Sequence, residues 1–291
     1  MIIDSHTHLF PPEVVAKRKS FFRREPSFRL LYENEKARLA RVEDLLASMD
    51  RDGVDQSVIC GFPWQDPALS REGNDYLWEC ARRHPDRLLP FACFSLRSAR
   101  TAEKEIEHAL ARGFAGIGEL ALYQQNFSSN IFQFLTSLLK PLSAKQIPVL
   151  LHANEPVGHE YPGKTRDGLR HLYSLLEALP QVTFIFAHWG GGLFFYELMP
   201  EVARAAAGAY YDTAASPFLY HPAVYGLALR VVGPQRILFG SDYPLLSPRR
   251  YFREFEEAGL PPRVQARIKG ENARNLFGRK STFGSSPQDQ V

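Results

Sequence analysis

The chain begins Met1-Ile2-Ile3-Asp4-Ser5-His6-Thr7-His8-Leu9. An apolar run leads into two histidines one residue apart. On a strand, residues two apart point to the same face, so His6 and His8 aim at one point just past the strand's end. Two neutral imidazoles converging on one point suit a divalent transition metal. A His-x-His pair alone is equally two unrelated polar residues at a strand end, so the weight falls on what the rest of the chain brings to that point.

Working outward, strand-like apolar runs recur at 54–62, 88–96, 114–122, 147–153, 182–187, 209–214 and 236–240. Helical spacing separates them. Val42, Leu45, Leu46 and Met49 mark a helix over 42–52 that Gly53 ends, and further helices are expected at 74–84, 102–111, 131–145, 168–179, 194–207, 223–232, 249–258 and 262–276. Near-continuous apolar strands alternating with helices mark a parallel sheet buried on both faces. With the first strand this makes eight units, which predicts the α/β class and a single-domain (β/α)8 TIM barrel over 1–278. A doubly wound open sheet is the alternative. It would leave the first and last strands apart, yet polar residues recur at strand ends from the first strand to the last.

Those polar residues are His6 and His8, then Glu119, His152, His188 and Asp242. In a barrel the carboxyl ends of the strands form one rim, and catalytic groups come from it. Of nine histidines in the chain, four fall on this rim, while His84, His108, His159, His171 and His221 fall on helices or loops. A metal centre is the expectation, because buried unpaired imidazoles and carboxylates have no structural benefit.

The bulk numbers narrow the class. Hydrophobic residues make up 45% and charged residues 23%, as in a soluble globular protein. With 35 basic and 32 acidic side chains, the charge is too balanced for a nucleic-acid or membrane-surface binder. Cys60, Cys80 and Cys93 form no CxxC pair, which argues for a reducing compartment without a disulfide framework. No apolar run nears the ~20 residues that span a bilayer, and the metal strand starts too early to follow a signal peptide. The expected location is cytoplasmic, the expected partner a small molecule, and a homo-oligomer is compatible with all of this.

Two stretches fall outside the repeating pattern. Residues 13–41 carry Lys17, Arg18, Lys19, Arg23, Arg24 and Arg29 among Phe21, Phe22 and Phe28. They read as a solvated insertion anchored by aromatics, or as a lid that brings positive charge over the site and so selects an anionic substrate. Residues 279–291 are rich in Ser, Gln and Gly and read as a flexible tail.

The motifs Asp4-Ser-His6-Thr-His8, Leu151-His152, Ala187-His188-Trp-Gly-Gly and Gly240-Ser-Asp242-Tyr-Pro, in that order, resemble the amidohydrolase superfamily of metal-dependent barrel enzymes. The branch most similar contains aminocarboxymuconate semialdehyde decarboxylase and related aromatic decarboxylases and hydrolases. The closing Gly270-Glu-Asn-Ala-Arg-Asn-Leu-Phe-Gly resembles that family's last helix, which packs beneath the barrel. The resemblance implies that His6, His8 and Asp242 hold a first metal, joined by His152 in a one-metal form. It implies Asp242 as general base, and His188 as ligand of a second metal or as the group that orients water. Zinc is the first expectation for the metal, with manganese, iron or cobalt also compatible with such ligands.

Glu119 departs from the decarboxylase pattern. Ile117-Gly-Glu119-Leu resembles the fourth strand of TatD-type deoxyribonucleases, where the matching Glu is a metal ligand. A carboxylate there would bridge two ions and favour hydrolysis. The alternative is a Glu paired to backbone or Arg near the barrel mouth. Substrate contacts are expected from Trp64, His159, Tyr161, Lys164 (with Arg166 nearby) and Trp189, although the tryptophans also suit rim packing. Asp212 is expected to bond neighbouring rim groups. The first functional expectation is therefore hydrolysis of a small amide, ester or lactone by a metal-activated water with Asp242 as base. Nonoxidative decarboxylation of a carboxylated aromatic substrate is the alternative. A TatD-like phosphodiesterase comes third, because the near-neutral charge suits nucleic acid poorly.

Overall fold

The structure, a computed structural model, describes residues 1–121, 123, 128–165 and 168–278. Eight parallel strands follow one another in sequence order: β1 (Ile3–His8), β2 (Gln56–Cys60), β3 (Leu88–Ala92), β4 (Gly116–Leu120), β5 (Val149–Leu151), β6 (Phe184–Phe186), β7 (Tyr210–Asp212) and β8 (Ile237–Leu238). The last strand returns to the first. Ser5 N–H donates to Phe239 O at 2.8 Å, Asp242 N–H to His6 O at 2.9 Å and His8 N–H to Tyr243 O at 2.7 Å. The expected (β/α)8 barrel is thus what forms, and the open sheet is not.

The strands are shorter than the apolar runs that announce them, because the chain leaves the sheet as soon as the rim residues begin. Inside the barrel Ile3, Val58, Phe91, Leu150, Ile185 and Leu238 pack together. Gly116 makes room for one of them: a Cβ there would stand 2.4 Å from the Phe91 ring. The last helix among the described residues, Asn272–Phe277, closes the bottom. Phe277 meets Phe91 edge to face, and Asn272 donates to the carbonyls of Pro234 and Ile237. A second apolar layer joins the outer strand faces to the helices. Cys60, Cys80 and Cys93 are free and buried. Among the described residues no helix is long and apolar enough to cross a membrane.

Three helical expectations need correction. The helix expected over 131–145 ends at Leu139 and tightens into a 3-10 turn, Lys140–Leu142, at Pro141. The helix expected over 194–207 is replaced by 3-10 turns over His188–Leu198 and an α-helix, Pro200–Ala205. Its start is displaced because Trp189, Gly190, Gly191 and Gly192 all have positive φ, which no α-helix accepts. The stretch 262–276 splits into Pro262–Ala266, a π turn at Arg267–Glu271, and the closing helix.

The insertion after β1 is more ordered than a solvated loop. It folds into short helices, Pro12–Ala16, Arg18–Phe21 and Pro26–Tyr32. Phe21 and Phe28 join Phe10, Phe62 and Trp64 in a separate aromatic core beside the barrel mouth. Glu25 is fully buried and accepts the N–H groups of Gln65 and Asp66, which pins the insertion to the loop after β2. Its cations mostly face away from the site. Lys17 pairs with Glu13, Lys19 with Glu35 and Arg29 with Glu33, all on exposed faces. The aromatics take the inner face, so the ion pairs are left on the outer one. The tail 279–291 and Arg166 lie outside the described residues.

Candidate metal centre

β1 delivers His6 and His8 side by side, with their Nε2 atoms 3.0 Å apart. Each ring is oriented from behind. His6 Nδ1–H donates to Asp212 Oδ2 at 2.8 Å, and His8 Nδ1–H to Gly61 O at 3.1 Å. His188, at the exit of β6, donates its Nδ1–H to Ala214 O at 3.1 Å. An acceptor at Nδ1 leaves the Nε2 lone pair pointing inward, which is how protein metal sites prepare imidazole ligands. Two such lone pairs facing each other at 3.0 Å repel unless something positive lies beside both.

Glu119, at the end of β4, stands at the middle of the group. Its Oε2 is 3.6 Å from His6 Nε2 and 3.5 Å from His8 Nε2. Its Oε1 is 2.9 Å from His152 Nδ1 and 3.6 Å from His188 Nε2. Asp242 closes the ring, with Oδ1 3.4 Å from His8 Nε2 and 3.8 Å from His6 Nε2. Most of these gaps are too long for hydrogen bonds. They resemble the ~3.3–3.6 Å edges between ligand atoms that share a tetrahedral ion with 2.0–2.2 Å bonds. The donor atoms of His6, His8 and Glu119, and those of Glu119, His152 and His188, each lie within 4.8 Å of one another. The residues present therefore fit a divalent cation. His188 and Asp242 reach inward because both leave their strands with positive φ, 55° and 57°. Non-glycine residues adopt that conformation rarely and at a cost, and active sites are where such residues cluster.

The electrostatics follow from burial among opposite charges. Burial alone would raise the Glu119 carboxyl, yet His152 and His6 hold it well below the usual range. Burial alone would discharge His6, yet Glu119 and Asp212 raise it well above ordinary histidine. His188 likewise overcomes burial, through Glu119 and Asp242, and is raised to about 9. Without a metal, protons on His6 and His188 supply positive charge. Asp4 plays a different part. Its Oδ1 accepts Ser241 N–H at 2.9 Å and its Oδ2 accepts the Ser241 hydroxyl at 2.5 Å, which fastens β1 to the exit of β8. Burial pushes its carboxyl up to about 7 despite those hydrogen bonds.

Above the cluster opens a cavity of about 420 Å³. His8, Glu119, His152, His188 and Asp242 line its floor, and Tyr32, Phe62, Tyr123, Tyr161 and Phe218 its walls. Phe62 and Tyr123 stack with 13° between their planes, and Tyr123 meets the His152 ring edge to face. Arg38, from the insertion, stands exposed at the mouth without an ion pair among the described residues. Arg18 holds the adjoining Ala37 carbonyl at 2.8 Å.

Residues 3–279 match the family model described as Amidohydrolase. The chain belongs to the amidohydrolase family. No curated protein matches this amidohydrolase in sequence. Solved structures share its architecture. The 5-carboxyvanillate decarboxylase of Sphingomonas paucimobilis aligns with a TM-score of 0.73, over 95% of this chain and 98% of that one, at 17% identity. A 2,6-dihydroxybenzoate decarboxylase from Rhizobium aligns at 0.70, over 96% and 98%, at 18% identity. A dihydroxybenzoic acid decarboxylase from a Polaromonas species, with bound manganese and the inhibitor 2-nitroresorcinol, aligns at 0.71, over 95% and 96%, at 18% identity. At such identities the likeness is one of fold.

The amidohydrolase brings His6, His8, Glu119, His152, His188 and Asp242 onto one rim, and places His159 and Tyr161 in the cavity wall. The other substrate candidates are elsewhere. Lys164 turns back to donate to the carbonyls of Val157, at 2.7 Å, and His159, at 2.8 Å, so it braces its own loop. Trp64 is buried against Phe21, Phe28 and Phe62. Trp189 is fully buried and donates to Ser216 Oγ at 2.5 Å. Both tryptophans are packing residues, because the aromatic core and the left-handed turn after β6 draw them away from the cavity. Sequence reasoning missed Tyr32, Arg38, Tyr123 and Asn154. Only Asn154 carried a signal, lying two residues past His152 and hence on the same side of an extended chain.

Proposed function

We propose that this amidohydrolase is a metal-dependent, nonoxidative decarboxylase of a small carboxylated aromatic compound. The observation that carries the reading is the aromatic-walled cavity of about 420 Å³ set directly over the histidine–carboxylate floor. Its size and walls suit one substituted benzene ring. The shared fold with aromatic-acid decarboxylases, one of them holding manganese, supports the same reading.

A divalent cation, manganese or zinc, held by His6, His8, Asp242 and Glu119 would supply Lewis acidity to anchor and polarise the substrate's oxygens. The chain's own groups account for the rest. Tyr32, Phe62 and Tyr123 hold the ring and exclude water from the floor. Decarboxylation replaces a ring C–CO2 bond by a C–H bond, so one proton must reach the ring carbon while carbon dioxide leaves, with no net oxidation. Asp242 is the floor carboxylate placed to move it: its side chain is 17% exposed to the cavity, against 2% for Glu119. It takes the proton from an acidic group of the bound substrate and returns it to carbon. His188, on the cavity floor beside Glu119, orients the substrate's carboxylate over the centre.

Hydrolysis of an amide, ester or lactone is the second reading. It is favoured by Glu119, whose two oxygens face different histidine pairs as a carboxylate between two ions would. Manganese- or zinc-loaded protein assayed against carboxylated phenols and against aryl esters, lactones and amides separates the two. Release of carbon dioxide with the decarboxylated ring as product is the expected result. Turnover confined to the esters, lactones or amides overturns it.

A further inference from the structure

Away from the metal centre, the exposed apolar side chains of the described residues gather on one face. The loop after β6 exposes Phe195, Tyr196, Leu198 and Met199, the turn after β7 exposes Phe218, and the turn after β8 exposes Leu245. Strands β6, β7 and β8 are neighbours in the barrel, so their loops adjoin on the rim. The loops also touch. A Cβ on Gly192 would lie 3.6 Å from both the Phe195 ring and the Tyr220 hydroxyl, which joins the first loop to the second. Phe218, Leu219, Pro244 and Leu245 line the cavity together, which joins the second to the third. The Tyr220 phenol lies beside the Glu155 carboxylate. Two residues on, the exposed Val157 extends the face to the loop after β5.

These loops differ from the rest of the chain in charge. Charged residues make up 23% of the whole sequence. Over 188–200, 213–222 and 243–248, the only Asp, Glu, Lys or Arg is Glu197. That one is buried, paired with Arg236 and bonded to the Tyr211 hydroxyl. Exposed charges resume at the edges, with Glu201 and Arg204 beyond Met199 and Arg249 and Arg250 beyond Pro248. An aromatic and aliphatic centre without charge inside a polar rim is the composition of a protein–protein interface. Its extent agrees. At about 200 Å² for a large side chain, the exposed residues of this face leave roughly 800 Å² open to water. The largest apolar patch of a monomer is usually ~300–600 Å², and one side of a stable interface buries ~800 Å².

What covers the face follows from the rest of the surface and from the cavity. Elsewhere among the described residues, the large apolar side chains left exposed are Met1, at the barrel's bottom, and Leu227, on the helix Ala223–Val231. A second copy has no other apolar patch to offer, so contact between copies sets this face against itself about a two-fold axis. Phe218 and Leu245 line the cavity yet stand 56% and 51% exposed. The insertion closes the cavity on the Tyr32 side, and nothing among the described residues closes it here. Every copy has the same open wall, and one two-fold contact covers both walls at once.

We infer that this face is the interface of a dimer, and that each copy closes the β7–β8 wall of the other's cavity. The closing of the wall rests on the cavity being the substrate site, as proposed above; the interface itself does not.

Sedimentation velocity at micromolar protein, without substrate, is the test. Wild type is expected to be a dimer. Leu198→Glu and Met199→Glu change residues outside the cavity lining, and the two-fold axis brings each new charge into the interface twice. They are expected to raise the dimer dissociation constant about 100-fold without moving the melting temperature of the barrel. Wild type that stays monomeric up to its solubility limit overturns the inference and gives the face to a different protein. A dimer that neither substitution weakens overturns it as well. Hydrogen exchange of wild type, compared between dilute and concentrated protein, reads the face without a variant. Protection gained on dimerisation in 194–199, 216–220 and 243–247 supports the inference, and protection confined to other segments sinks it. In the monomeric variant, KM for a carboxylated aromatic substrate is expected to rise several-fold with kcat per chain retained. An unchanged KM would overturn the shared wall. A dimer that hydrolyses esters alone would remove the proposed function and keep the interface, and a decarboxylating monomer would do the reverse.

Discussion

Asp212 Oδ2 accepts the Nδ1–H of His6 at 2.8 Å, while its Oδ1 accepts the backbone N–H of His188 at 2.8 Å. One carboxylate on β7 thus orients groups delivered by β1 and β6. Asp212→Asn keeps the volume and replaces one acceptor with a donor. Either orientation of the amide sets donor against donor, at His6 or at His188. Metal affinity is expected to fall about 10–100-fold with the fold retained. Chelator competition measures it, and unchanged affinity would show that Asp212 does not prepare the ligand.

The histidine pKa shifts make a statement about pH. His188 is raised from 6.5 to about 9 in the metal-free protein, so its ion pairing stabilises the fold fully below about pH 6.5 and is lost as pH rises to about 9. A metal competes with those protons, and its affinity should increase over the same window. Melting temperature in chelator is expected to drop from pH 6.5 to 9, and the gain on adding metal to grow. Proton release on binding, seen as a buffer-dependent heat in calorimetry at pH 7.5, is the direct readout.

Asp242→Asn removes the group assigned to move the proton. Turnover should fall by ~10²–10⁴, the range of general acid–base catalysis, in protein that still melts cooperatively. Because Asp242 is also a candidate ligand, metal content must be measured beside kcat. Normal kcat would remove the assignment.

Arg38 is placed at the cavity mouth with no acidic partner among the described residues, whereas Lys17 and Lys19 are paired on the outer face. Arg38→Ala is expected to raise KM about tenfold for a substrate with a second anionic group, the loss of one charge-assisted hydrogen bond of ~1.4 kcal/mol. Lys17→Ala and Lys19→Ala should leave KM unchanged. Equal effects from all of these would return the role to the general charge of the insertion.

Phe28 is fully buried among Phe10, Phe21, Phe62 and Trp64. Phe28→Ala should cost ~3–5 kcal/mol in denaturant unfolding, and should raise KM by loosening Tyr32. A loss below about 1 kcal/mol would mean that the insertion is not a cooperative part of the fold.

Much of this was legible in the residues. Alternating apolar strands and helices specify a parallel barrel, because a strand buried on both faces reads as a continuous apolar run. Ionisable residues where those runs end specify a rim. His6, His8, Glu119, His152, His188 and Asp242 are all found that way, since each sits at or just past a strand's end; strand period sets the direction of His6 and His8, and left-handed backbone that of His188 and Asp242. The insertion after β1 was less legible. Its cations are conspicuous in sequence, but charge does not reveal which side of a short helix meets solvent, and Phe21 and Phe28 took the inner side.

The tertiary structure alone decided how each side chain is wired. That Asp212 stands behind His6, and that Tyr32 and Arg38 reach the cavity while Trp64, Lys164 and Trp189 turn away, depend on partners far apart in the chain. Strand period fixes a direction in one residue's own frame, and so sequence can find the members of the centre. A hydrogen bond's polarity depends on which group another strand or loop brings to within 3 Å, and only the closed barrel brings them there.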